Sequence, residues 1–123
     1  SCRFFTHSTE TLIWAKKNKK AKHTFHYDTM KAENDGRQMK CVWKFTPPNK
    51  TEKTFGKHPT QKPLALLERC ILAASNTDDL IFDPFMGSGT TGIAAIKNGR
   101  KFCGCEMEID FFELAKKRLE NGF

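Results

Sequence analysis

Two carboxylates and a pair of glycines are the residues of this chain best placed to do chemistry. Asp83-Pro84-Phe85-Met86-Gly87-Ser88-Gly89 puts an acid at the head of a glycine-rich turn, and Glu106 follows Gly89 by 17 residues. Gly87 and Gly89 permit positive φ and close backbone approach, while Thr90 and Thr91 would offer hydroxyls and N–H groups at a helix start. An acid at the offset of Glu106 is close to the spacing that holds a ribose diol. Gly87-Ser88-Gly89-Thr90-Thr91-Gly92 also spells G-x-G-x-x-G, so a dinucleotide-binding oxidoreductase has to be weighed. Against it, Asp83 sets a negative charge, and Pro84 a rigid φ, where a pyrophosphate would lie. A cation suits that acid better. S-adenosylmethionine has a sulfonium, an α-ammonium and a ribose that Glu106 could hold, and it needs no phosphate pocket. An ordinary βα turn with no ligand is the plain alternative.

These residues require a strand, turn, helix and strand to position them. Leu80-Ile81-Phe82 reads as a buried strand, and a helix follows from about Thr90 to Asn98 with Gly99 as its cap. Lys101 to Cys105 reads as the next strand, with Glu106 at its carboxyl end. A last helix runs from about Glu108 to Glu120, acids early and Lys116, Lys117 and Arg118 late, as the helix dipole favours. This is a βαβ unit with parallel strands, whose crevice lies at the strand carboxyl ends. Upstream, Pro63 suits a first helical turn, and Leu64, Leu67, Cys70, Ile71 and Ala74 share a face of a helix ending near Ser75-Asn76. Thr11 to Ala15 and Cys41-Val42-Trp43 read as two further short strands, with Trp14 and Trp43 in the core.

Charge divides the chain. Residues 1–63 hold 14 Lys/Arg against 5 Asp/Glu, and residues 64–123 hold 7 against 9, within a net charge of +7. A basic half beside a nearly neutral one predicts a polyanion partner. No apolar run approaches the roughly 20 residues needed to cross a bilayer, so a membrane protein is not expected. Five cysteines with no C-x-x-C pair predict neither a disulfide framework nor a zinc knuckle, and a reducing cytoplasm is the expected setting. His23 and His26 with Cys41 read as polar loop residues rather than metal ligands, and Cys103 and Cys105 as packing residues on one strand face. Ser1 in place of Met permits a longer parent chain.

Asp83 to Thr91 resembles the D-P-F-x-G-S-G-T-T loop of DNA N6-adenine and N4-cytosine amino-methyltransferases, and His58-Pro59-Thr60-Gln61-Lys62-Pro63 resembles their H-P-T-Q-K-P motif. The order matches the permuted subgroup whose catalytic motif precedes the cofactor motifs, as in type II restriction-modification enzymes. Gly104-Cys105-Glu106 with Phe111, Ala115 and Arg118 is similar to the following G-x-E, aromatic, A-x-x-R pattern, with Phe111 where Tyr is usual. Residues 7–17 are similar to the late strand that precedes the target-recognition region.

The resemblance implies an α/β fold: a partial, Rossmann-like, three-layer methyltransferase domain with an incomplete sheet. It divides the chain into 1–17, a late strand; 18–57, a basic recognition region; and 58–123, the S-adenosylmethionine-binding region. On this mapping Asp83, Phe85, Gly87 and Gly89 form the pocket wall; Ser88 and Thr60 with Lys62, next to His58, hold the methionine end; Glu106 takes the ribose; Thr90 and Thr91 begin the helix beside it. Lys16, Lys17, Lys19, Lys20 and Lys22 become candidate phosphate contacts for double-stranded DNA. The family's catalytic (Asp, Asn or Ser)-Pro-Pro-aromatic motif has no counterpart. Thr46-Pro47-Pro48-Asn49 is the sole Pro-Pro, and it lacks both the required first residue and the aromatic fourth. The isolated chain is therefore expected to be inactive and to need an N-terminal complementing fragment or subunit. A non-catalytic DNA-binding or subunit-interaction relic is the rival reading.

Overall fold

Short β-prone runs on either side of a small-residue helix build the centre of the molecule, described for residues 8–122 in a computed structural model. Strands β1 (Leu80–Asp83) and β2 (Lys101–Gly104) pair in parallel, Leu80 opposite Lys101 and Asp83 opposite Gly104. Helix α3 (Thr90–Lys97) crosses between them; Gly89 at φ 74° turns the chain into it and Gly99 at φ 75° turns it out. Its Ile93, Ala94 and Ala95 form the core with Leu64 and Ile71 of α2 (Leu64–Ala74), and Ile81, Phe102 and Leu119 pack at the margin. A Cβ at Gly92 would come within 2.6 Å of Phe102 and 2.7 Å of Leu119, so only a hydrogen there lets α3 lie flat between the sheet and α4 (Ile109–Asn121). The result is a partial α/β unit of the expected kind, with boundaries within one or two residues of those read from periodicity.

Alternation along β1 sends Ile81 into the core and leaves Leu80 and Phe82 64% and 59% exposed. The strand expected to be buried is covered on one face only. Cys103 shares that uncovered face and is exposed, as is Cys105 beyond the strand, so neither packs as foreseen.

Upstream, the strands expected at Thr11–Ala15 and Cys41–Trp43 are absent, and both segments run without regular structure. A strand needs a ladder to satisfy its backbone, and among the described residues β1 and β2 pair only with each other. The part of the expected late strand at residues 1–7 lies outside the described residues. Trp14, read as core, is exposed and packs on Phe25 and His23 at ring separations of 5.3 and 5.4 Å. Two unforeseen elements occur. Helix α1 (Tyr27–Ala32) inserts Met30, 1% exposed, and the His26 N–H donates to the Ala73 carbonyl of α2 at 2.9 Å. A 3-10 turn at Thr51–Lys53 follows Asn49, whose Oδ1 accepts from the Glu52 N–H at 3.0 Å. No described helix is long and apolar enough to cross a membrane.

Candidate functional site

The glycine loop is folded by backbone bonds at the carboxyl ends of the two strands. Cys105 N–H donates to the Asp83 carbonyl at 3.0 Å, Met86 N–H to the Cys105 carbonyl at 2.9 Å, and Gly89 N–H to the Met86 carbonyl at 2.8 Å. Asp83 Oδ1 accepts from the Phe85 N–H at 3.1 Å. Across from it, Glu106 accepts from the Gly87 N–H at 2.9 Å through Oε2 and from the Glu108 N–H at 3.0 Å through Oε1. Glu106 thus latches the loop to the end of β2. The Glu108 N–H above all, then those of Gly87 and Met107 and the charge of His58, hold its carboxyl below the usual carboxylate range, against the desolvation of the loop.

Beneath the loop lies Arg118 of α4, only 1% exposed. Its Nη1 donates to the Ser88 carbonyl at 2.5 Å and to Thr90 Oγ1 at 3.1 Å, and its Nε has no partner. Burial pulls its pKa down, and Glu52 opposes the shift. Ser88 and Thr90 are buried with their hydroxyl oxygens 3.4 Å apart, and the Thr90 hydroxyl accepts from Arg118, so both hydroxyls are turned into the protein. Sequence reading tied Arg118 to the helix dipole and to the A-x-x-R pattern, gave it no partner, and so missed this anchoring role. The available signal was a cation on the same helical face as Leu114 and Ala115, both buried.

His58 closes the other side. A Cβ at Gly87 would stand 3.2 Å from its Nε2, its ring lies 4.2 Å from that of Phe111, and its Nδ1 accepts from the Thr60 N–H at 3.2 Å. The His58 end of the H-P-T-Q-K-P segment therefore meets the glycine loop. Lys62 does not join it: its ammonium pairs with both Glu10 carboxylate oxygens, at 2.7 and 2.9 Å. Gln61 is buried and donates to the Glu52 carbonyl at 2.7 Å, and Glu52 Oε2 accepts the Leu64 N–H at 2.9 Å, capping α2. Thr91 is half-buried, and Phe85 projects from the loop 88% exposed. Lys16, Lys17, Lys19, Lys20 and Lys22 sit on an exposed loop, folded around the Asn18 side chain, which accepts the N–H groups of Lys20 and Ala21.

Two anions flank a turn whose backbone N–H groups are largely engaged, which disfavours a pyrophosphate and fits a cationic nucleoside with a diol. His23 stands edge-on to Trp14, and His26 Nε2 lies 3.1 Å from the Ser75 carbonyl; among the described residues no three His, Cys, Asp or Glu side chains cluster as metal ligands.

Known proteins resemble this chain in sequence and in fold. The type II methyltransferase M2.DpnII of Streptococcus pneumoniae is 58% identical over 121 residues, 98% of this chain and 45% of that protein. M2.LlaDCHI of Lactococcus lactis subsp. cremoris is 56% identical over 123 residues, 99% of this chain and 46% of its own length. The structure of the M1.HpyAVI-SAM complex matches with a TM-score of 0.62 at 42% identity, covering 82% of this chain and 46% of that one. The chain thus spans about half the length of the curated relatives it matches. The family described as DNA methylase matches residues 1–117, nearly the whole of the chain, and the chain belongs to that family.

Proposed function

We propose that this chain is the cofactor-binding part of a DNA methyltransferase that transfers a methyl group from S-adenosylmethionine to an exocyclic amine in double-stranded DNA, adenine N6 by overall resemblance ahead of cytosine N4. The observation that carries the reading is the pair of carboxylates, Asp83 and Glu106, at the ends of adjacent parallel strands around the glycine loop. When bound, S-adenosylmethionine supplies an electrophilic methyl on a sulfonium. Glu106, held ionised by backbone donors, keeps acceptor capacity for the ribose hydroxyls while it latches Gly87. Asp83 offers negative charge to the cationic end, and His58 and Phe111 wall the loop opposite. M1.HpyAVI, solved with SAM, supports the same ligand here.

Without an (Asp, Asn or Ser)-Pro-Pro-aromatic motif, these residues have no group to bind the target amine or stack on an extruded base, so the 123-residue chain alone binds cofactor without turnover. An upstream fragment bearing that motif completes the enzyme, in a cytoplasmic setting. Isothermal titration of the chain with S-adenosylmethionine is expected to show binding, and methyl transfer to duplex DNA is expected only after the upstream fragment is added. DNA binding without cofactor binding, in the complemented enzyme as well, would select the non-catalytic relic.

A further inference from the structure

The polar segment after α1 is held more firmly than its lack of regular structure suggests. Arg69 of α2 donates from Nε to Glu33 Oε2 at 3.3 Å, and its guanidinium stands 5.3 Å from the Trp43 ring centroid and 4.6 Å from that of Phe45. The Trp43 indole N–H donates to the Lys40 carbonyl at 2.7 Å, and the Asn34 side-chain amide donates to the carbonyls of Arg37 and Gln38 at 3.2 and 3.1 Å. These bonds fix the backbone beneath three basic residues. Arg37, Lys40 and Lys44 are exposed and line a groove of about 430 Å³ in which Asp35 is the sole acid. Arg69 is already paired with Glu33, whereas none of the three has an acidic partner within salt-bridge distance among the described residues.

We propose that this groove is a preformed clamp for the phosphate backbone of duplex DNA, with Arg37, Lys40 and Lys44 as its contacts and the Arg69 stack as the strut joining them to the helix that follows His58–Pro63. The proposal rests on the DNA reading above and places the principal contact here instead of on the lysine run at 16–22. Arg69 ties this segment to α2, whereas the lysine run is folded around its own Asn18, and charges on the more firmly anchored backbone lose less freedom on binding. In that loop the Lys16 ammonium already bonds the Lys19 carbonyl at 3.1 Å. Arg69 lies against the Trp43 ring, so the groove offers charge rather than a base-stacking platform, which favours a paired backbone over unpaired bases.

Fluorescence anisotropy of a short random-sequence duplex, titrated with the chain across a series of KCl concentrations, tests this. The slope of log affinity against log salt is expected to shrink by about 3 in an R37Q/K40Q/K44Q variant, and by about 1 in each single variant, because each phosphate contact contributes roughly 0.9. A variant with Lys16, Lys17, Lys19, Lys20 and Lys22 changed to Gln is expected to lose less than the groove variant. The single substitutions remove exposed side chains, so they keep the test valid if the triple variant melts differently. The opposite ranking would overturn the groove while leaving the DNA reading intact. Absence of any salt-dependent binding by the parent chain would overturn both.

Discussion

Glu106 joins the loop to β2 through hydrogen bonds that only its ionised form accepts on both oxygens. Its folded pKa lies below the ordinary value of 4.5, so the latch is fully present above that value and is lost as pH falls through the lower folded one. Cofactor affinity measured by calorimetry should therefore stay level from neutral pH to about 4.5 and fall below it, as far as this carboxyl governs it, whereas Glu106→Gln should bind weakly with no such fall. Arg118 is the other residue on which the loop depends. Arg118→Ala removes two hydrogen bonds from a charged donor and leaves a hole under Ser88, and should lower stability by roughly 3–5 kcal/mol in a urea titration. Glu106 was legible because an acid at a set distance from a glycine turn has few other uses. Arg118 was singled out by the A-x-x-R resemblance but its role was not legible, since its partners are a carbonyl and a hydroxyl 30 and 28 positions away, which no local pattern encodes.

At the level of elements, periodicity sufficed where a face is buried by neighbours in the same βαβ unit. The α2 and α3 faces, β1, β2 and α4 were all readable for that reason. Helix α1 has six residues and a His at its N-cap without a side-chain bond, and it is stabilised by packing on α2 with Met30 buried, so its sequence carries no helical signature. The 3-10 turn was readable in principle from Asn49 two residues ahead of Thr51. The β-prone run at Thr11–Ala15 misled because propensity without a pairing partner does not make a strand. The cap of α2 is itself a tertiary contact: Pro63 has no side chain to offer, and Glu52 supplies the acceptor from the 3-10 turn. Glu52→Ala should cost about 1 kcal/mol and speed hydrogen exchange at the Leu64 amide, with exchange in α3 changed little.

For the molecule as a whole, the basic half and the cofactor half are joined by Arg69 with Glu33, by Glu52 on the Leu64 N–H, and by His26, whose N–H donates to the Ala73 carbonyl and whose ring meets the Ser75 carbonyl. The sheet they surround is finished on one face. Replacing Leu80 and Phe82 together by Thr should change stability by no more than about 0.5 kcal/mol per site, since both are exposed, and should reduce light scattering by the isolated chain. On the proposed reading, in which an upstream fragment completes the sheet, the same change should weaken methyl transfer after complementation. Proteases that patrol for unfolded protein read a bare apolar strand as damage. A chain carrying Thr at positions 80 and 82 is therefore expected to outlast the parent in a pulse-chase experiment in cells, because the exposed apolar pair that marks it for degradation is gone.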